Sequence, residues 1–328
     1  MSASLSQTNN EQKHWSSFRE AGTLFGLRFL WLVYKIFGRK GVSFLLLPIT
    51  LYFVLFRTTS RKSSFDYLNT HYQYFPHRWT HKPNYRDVIK HFREFGETIV
   101  DKLLSWFIDI DAEDFDVVDL DHVKQQLDDP RGQLIIGSHF GNLEYCRGFM
   151  HRYHDQVINI LVHDRQSENY TSLMKQLNSE SRLNIFQVEE FDIQTMLKIK
   201  AKIDHGEWVF IAGDRTPLSG AIRTTEVEFM GRKVALPIGP YMLAKGLACP
   251  VQLIFADCDY SKPEKPVRFE LIPFSERIEL DRKQRDAQLQ NLAQRYANAL
   301  EKQCERSPFQ WFNFYDYWTI KKSSDGSE

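Results

Sequence analysis

Apolar and polar positions change rhythm three times along this chain of 328 residues. From Leu24 to Phe37 the residues are apolar apart from Arg28 and Lys35, and Gly41 to Phe56 is an uncharged run of 16. That run is marginal for a free-standing transmembrane helix, which needs roughly 20 such residues. Pro48 in its middle is expected to bend it. Residues 63–130 read as mostly helical and amphipathic; in YRDVIKHFREFGETIVDKLLSWFIDI the apolar positions recur at helical spacing. This stretch is expected to form a packing layer over the core. After Asp129-Pro130 short apolar runs alternate with helical patterns. QLIIGS, VINILVH, NIFQV, EWVFIAG and VQLIFAD predict strands, and RFELIPF (268–274) is a further candidate. Asn142 to Arg152, Ser167 to Asn178, Asp192 to Asp204, Ile238 to Leu247 and Asp281 to Glu305 predict helices.

Near-continuous apolar strands alternating with helices imply a largely parallel central sheet covered on both faces. The expected fold class is therefore α/β, with helices flanking the sheet and an N-terminal helical membrane anchor. The chain is expected to divide into three segments: a basic, aromatic anchoring stretch over 1–62, a helical lead-in over 63–130 and an α/β unit over 131–320.

Charge sharpens the reading of the first segment. The whole chain is formally neutral, which argues against a nucleic-acid partner. Residues 1–62 nevertheless carry nine Lys/Arg against only Glu11 and Glu20, an excess of seven. Three readings compete for this arm: a cleaved signal peptide, a buried hairpin of a soluble protein, and a membrane-seated hairpin or single anchor. A signal peptide would end in small residues, whereas this run starts late and ends in Arg57-Thr-Thr-Ser-Arg61-Lys62. Trp15, Trp31, Tyr34 and Tyr52 suit the headgroup level, and the flanking cations suit anionic lipid, so the membrane reading is preferred. The four cysteines show no CxxC spacing and read as inert thiols in a reducing compartment.

Candidate chemistry gathers in LIIGSHFGNLEY, residues 134–145. In parallel sheets ligands bind beyond the carboxyl ends of the strands, and this stretch is such an end. Asn142 is a favoured helix cap, and Gly141 permits the bend before it. His139 and Glu144 are five positions apart. Within one helix they would diverge by about 140°, so they meet only if His139 lies outside the helix and folds back. Such a pair supports general-base activation: neutral imidazole accepts a proton near neutrality, and a carboxylate fixes its tautomer and stabilises the imidazolium. Ser138 adjoins the histidine, but no GxSxG elbow surrounds it. His151, His154 and His163 form no HExxH-like set, so no metal is expected.

With these residues in place, the chain resembles the lysophospholipid acyltransferase superfamily, and more closely its bacterial lipid A (lauroyl/myristoyl-type) acyltransferase branch. HFGNLE matches the His-x4-Glu block with His139 and Glu144. VHDRQSENY supplies the Arg and Asn of the second block, Arg165 and Asn169. HGEWVFIAGDRTP supplies Asp214 and Arg215 for the third. FMGRKVALPIGPYMLAKGLACPVQLIFA has the shape of the family's next stretch, a small extended segment running into an apolar helix and a strand. SPFQWFNFYDYW resembles the Pro-x-Gln-Trp ending. Asp-Arg in the third block departs from the Glu-Gly of phospholipid-making members, which argues against a lysophosphatidate acceptor. The resemblance implies acyl transfer from an acyl carrier protein or coenzyme A thioester to a membrane lipid acceptor, with no cofactor of the protein's own. His139 would be the base, Glu144 its orienter, Arg165 and Asn169 contacts to substrate or oxyanion, and Asp214 and Arg215 positioners of the acceptor. It further implies a bacterial inner-membrane location with the catalytic unit facing the cytoplasm. Plainer readings stand beside these. Arg165 pairs with Asp164 or Glu168 at the surface, Asp214 serves as a turn residue, and the aromatic tail packs in the core or on a membrane. Two other functions also stand: a non-catalytic lipid-binding protein on the same fold, and a lipid hydrolase using Ser138.

Overall fold

The structure, a computed structural model, describes residues 3–104, 115–143, 145, 156–162, 183–187, 193–215, 223–260 and 267–318. Side chains are described from Phe29 onward.

Seven strands form the central sheet: β1 (Phe115–Val118), β2 (Leu134–Gly137), β3 (Ile158–Val162), β4 (Leu183–Gln187), β5 (Trp208–Ala212), β8 (Val251–Cys258) and β9 (Val267–Ser275). Their order is β1-β9-β8-β2-β5-β3-β4. All pair in parallel except β8 with β9. Every residue of β2 and β8 is buried, as continuous apolar runs require when both faces are covered. The extended segment expected after the third block is an antiparallel hairpin, β6 (Thr224–Phe229) and β7 (Arg232–Pro237), turning through Met230 and Gly231, both at positive φ.

Helices α1 (Ala3–Phe56), α2 (Thr58–Tyr74), α3 (Tyr85–Leu104), α4 (Leu120–Asp128), α5 (Ile193–Asp204), α6 (Gly239–Leu247) and α7 (Arg285–Arg306) surround the sheet. One large cluster joins α2, α3, α5, α6 and α7 to one face through Tyr67, Phe92, Leu134, Ile136, Tyr296 and Trp311. A smaller one packs α4 on the other through Val123, Ile135 and Trp208. Cys249, Cys258 and Cys304 are buried.

Most expected elements are present, with three corrections. The lead-in is not purely helical: Phe115-Asp-Val-Val is an edge strand parallel to β9. The last long helix starts at Arg285, four residues later than expected. The break in α1 falls at Gly38 (φ 62°, ψ −164°), while Pro48 lies inside the helix. A glycine tolerates that left-handed φ without cost. The helices expected over 142–152 and 167–178 lie, apart from residues 142, 143 and 145, outside the described residues.

Within α1, Phe29–Phe56 is long and apolar enough to cross a membrane, and only 22% of its most apolar window is buried. It leans on α3, where Arg39 pairs with Glu97 at 3.0 Å and with Asp101.

Candidate active site

The site forms where β2 and β5 end. These strands pair in parallel with Gly137 opposite Ala212. His139 and Asp214 each stand two residues beyond their strand, so the same offset on neighbouring strands brings them together. Asp214 holds the histidine twice: the ring Nδ1–H donates to Oδ1 at 2.8 Å and the backbone amide donates to Oδ2 at 2.9 Å. A third donor, the Trp311 indole N–H, reaches Oδ2 at 3.2 Å.

Burial alone would push the Asp214 carboxyl upward. The charge and hydrogen bond of the His139 ring, the nearby Arg215 cation and the His139 amide outweigh that and bring it down to about 2. The carboxylate is therefore ionised at any physiological pH, and it fixes the tautomer that leaves Nε2 unprotonated. Among the described residues Nε2 has no hydrogen-bond partner, and the His139 side chain is 40% exposed while that of Asp214 is fully enclosed.

The connection carrying His139 is clamped from both sides. Gly141, at φ 62°, lies so close to β8 that a Cβ there would stand 1.7 Å from the Ala256 carbonyl oxygen. Its amide donates to the Gln310 carbonyl at 2.7 Å, and the Phe312 amide donates to the His139 carbonyl at 3.0 Å. The expected aromatic tail is thus zipped against the site: Trp311 bridges Phe140 in antiparallel fashion, and Arg215 donates to the Phe312 carbonyl.

His139 opens onto a cavity of about 690 Å3. Its wall runs along the sheet through Ala212, Phe210, Ile160 and Ile158 to Trp208, and is completed by Phe95 and Ile99 of α3 and Phe312, Phe314 and Tyr315 of the tail. Arg215 and Lys102 are the cations on it among the described residues. Arg215 lies 5.6 Å from the Tyr315 ring, and its Nε has no partner among the described residues.

Among the described residues Asp214 is the carboxylate in contact with the ring, and it faces His139 and Trp311, while Arg215 lines the cavity. Glu144, Arg165 and Asn169 lie outside the described residues. Ser138 also lines the cavity, but its Oγ accepts the Phe140 amide at 3.3 Å, and among the described residues no hydrogen bond joins it to His139. Sequence reasoning did not foresee the contact of Asp214 with His139 or that of Trp311 with Asp214. The equal offset of His139 and Asp214 past two strands was the available signal for the first.

What the arrangement offers is an imidazole whose Nε2 has no partner among the described residues, lining a largely apolar cavity with a guanidinium on the same wall. A family model for bacterial lipid A biosynthesis acyltransferases matches residues 9–319, nearly the whole chain. Comparison with curated proteins gives no significant match.

Proposed function

The chain belongs to the bacterial lipid A biosynthesis acyltransferase family, and from that premise we propose that it moves a fatty acyl chain from a thioester to a hydroxyl or amine of a lipid or glycolipid acceptor, with His139 as general base. The observation that carries this is the His139 ring, held at Nδ1 by a buried carboxylate, without a partner at Nε2 among the described residues, and lining an apolar cavity.

In this reading the acyl chain lies in the cavity with its thioester carbonyl at His139. The acceptor O–H or N–H donates to Nε2, and its heteroatom attacks the carbonyl carbon as the proton passes to the ring. The imidazolium so formed is stabilised by Asp214. Charge on the tetrahedral oxygen is met by a cation. Arg215, whose side chain lines the cavity, is the described candidate, and such aimed charge is often the largest catalytic contribution. Collapse of the intermediate breaks the C–S bond, and the ring returns its proton to the leaving thiolate. No enzyme nucleophile is needed. Arg165 and Asn169 are assigned by resemblance to donor or acceptor contacts, and Glu144 to orienting His139. The donor is an acyl carrier protein or coenzyme A thioester; the family supports a membrane setting, and we place the protein at the bacterial inner membrane with the catalytic unit toward the cytoplasm.

Seating in that membrane rests on α1. At about 1.5 Å per residue the part after the Gly38 break, residues 39–56, is about 27 Å long, close to a hydrocarbon core. Phe95 and Ile99, on the helix that α1 leans against, line the cavity, so in this reading the acyl chain enters from the lipid on the α3 side.

The test is transfer of labelled acyl groups by purified protein in vesicles, with both donor types and lipid A precursor or other lipid acceptors. Transfer that disappears in His139→Ala supports the reading. Absence of transfer with every pairing, or a fully active His139→Ala, rejects it.

A further inference from the structure

Besides the His139–Asp214 pair, the site holds a buried donor with no role in the scheme above. Trp311 is fully buried, 97 residues from Asp214 in sequence, and its indole N–H points at the same Oδ2 that the His139 amide uses. Its backbone is fixed as firmly as its ring. The His91 Nε2–H donates to the Trp311 carbonyl at 3.0 Å, and His91 Nδ1 accepts the Ser64 hydroxyl at 2.9 Å. Ser64 lies on α2 and His91 on α3, so a continuous run Ser64–His91–Trp311–Asp214–His139 joins the N-terminal helices to the base. Tyr67, Phe229 and Tyr317 pack edge-on against the indole at 5.0, 5.1 and 4.7 Å, which leaves it no room to turn away.

We propose that Trp311 is a positioning residue for acyl transfer: its indole N–H, with its main chain anchored by His91, holds the Asp214 carboxylate in the orientation that aligns the His139 ring. The proposal rests on His139 being the base. A carboxylate with two oxygens has several lone-pair sites. With Oδ2 saturated by the indole and the His139 amide, only Oδ1 is left to meet Nδ1–H, and rotation about the side chain is blocked. The same N–H draws electron density from the carboxylate and so tempers how tightly the imidazolium keeps its proton.

The experiment compares wild type, Trp311→Phe, Trp311→His and His139→Ala as full chains in vesicles, reading kcat, KM for the acyl donor, the pH profile of kcat and the melting transition. Trp311→Phe keeps an aromatic ring and loses the donor. It should lower kcat about tenfold or more, the usual worth of a hydrogen bond to a charged group, with KM within about twofold. The acid limb should move to higher pH by about half a unit, because a carboxylate short of one donor binds the imidazolium more tightly. Trp311→His, which restores a ring N–H, should recover part of the rate. A folded Trp311→Phe with unchanged kcat and pH profile overturns the proposal while leaving His139→Ala free to test the base. Should Trp311→Phe fail to fold, the wild-type indole 15N–1H resonance of Trp311 decides. It should titrate in step with the acid limb of kcat and lose that titration in His139→Ala; a resonance that stays still across that range overturns the proposal.

Discussion

Asp214 binds His139 at two points, ring and backbone, at 2.8 and 2.9 Å. A single contact would orient the imidazole. The second also fixes the chain that carries it, so the carboxylate sets both the tautomer and the place of the ring.

That double hold makes Asp214→Asn a sharper probe than removal of the side chain. An asparagine amide turned toward Nδ1 makes that nitrogen an acceptor, which puts the proton on Nε2 and leaves no base facing the cavity. We expect kcat to fall about 10^3-fold or more, toward the upper range for general-base catalysis, with KM little changed and the fold retained. Glu144→Gln made in parallel tells which carboxylate serves the ring: the larger loss of kcat should belong to Asp214→Asn. Steady-state kinetics on both variants checks this, and an Asp214→Asn enzyme with near wild-type kcat removes Asp214 from the mechanism.

Two other histidines are buried and uncharged, and they set an acid limit to stability. The Trp79 indole donates to His71 Nδ1 at 2.9 Å, so His71 Nε2–H donates to the Cys304 carbonyl. His91 is held between Ser64 and Trp311. Burial lowers both to about 4, only partly offset by their backbone bonds. Their folded values lie below the unfolded value of about 6.5, so between pH 6.5 and 4 the unfolded chain binds protons that the native chain refuses. Stability should be full above pH 6.5 and fall as pH drops toward 4, by about 3 kcal/mol for each histidine. Asp214, lowered to about 2, adds a loss only at still lower pH. Denaturant melts across pH 4–7 measure this. His71→Gln should flatten the slope by about one proton, and an unaltered slope would mean that His71 is not buried neutral.

The sheet was legible because strands covered on both faces read as unbroken apolar runs, as in Leu134–Gly137 and Val251–Cys258. β1 was not, because four residues at a sheet edge, one of them exposed Asp116, carry too little pattern to stand out from the helices around them. Gly38 was passed over because proline is the stronger local signal for a bend, yet a positive φ at glycine breaks a helix as well. His139 was legible from its place after a strand. Its partner Asp214 was not, because the contact spans 75 positions and depends on which strands are neighbours. The residues were recognised and their geometry was not, since no local period encodes the register of β2 against β5.

The cavity floor yields a prediction about chain length. Ile158 stands at the start of β3 and Val162 at its end, four residues or about 13 Å apart along the strand. Both line the cavity, with His139 at the strand-end side. Ile158→Phe should fill the deep end and shift preference toward donors shorter by two or more carbons. Each methylene that loses its burial costs about 0.8 kcal/mol, roughly fourfold in relative kcat/KM. Competition between acyl donors of graded length reads this directly. An unchanged length profile would place the acyl chain elsewhere.

Membrane seating can be separated from folding at three side chains. Phe37, Phe44 and Phe56 on α1 are 67, 75 and 68% exposed, so they take no part in the core and their loss should leave the melting transition where it is. Exposed aromatics on one long helix, next to an arm rich in Lys and Arg, are the surface a lipid bilayer would cover. If it does, each phenylalanine buries its side chain in hydrocarbon for about 1.5–3 kcal/mol, tenfold or more in partitioning. Changing all three to serine should therefore release much of the chain from anionic vesicles in a flotation assay, and lower transfer to vesicle-held acceptors more than to acceptors in detergent. The Arg39–Glu97 pair that docks α1 on α3 is untouched by these changes, so a variant that still floats with the vesicles would show that α1 is not what holds the protein to lipid.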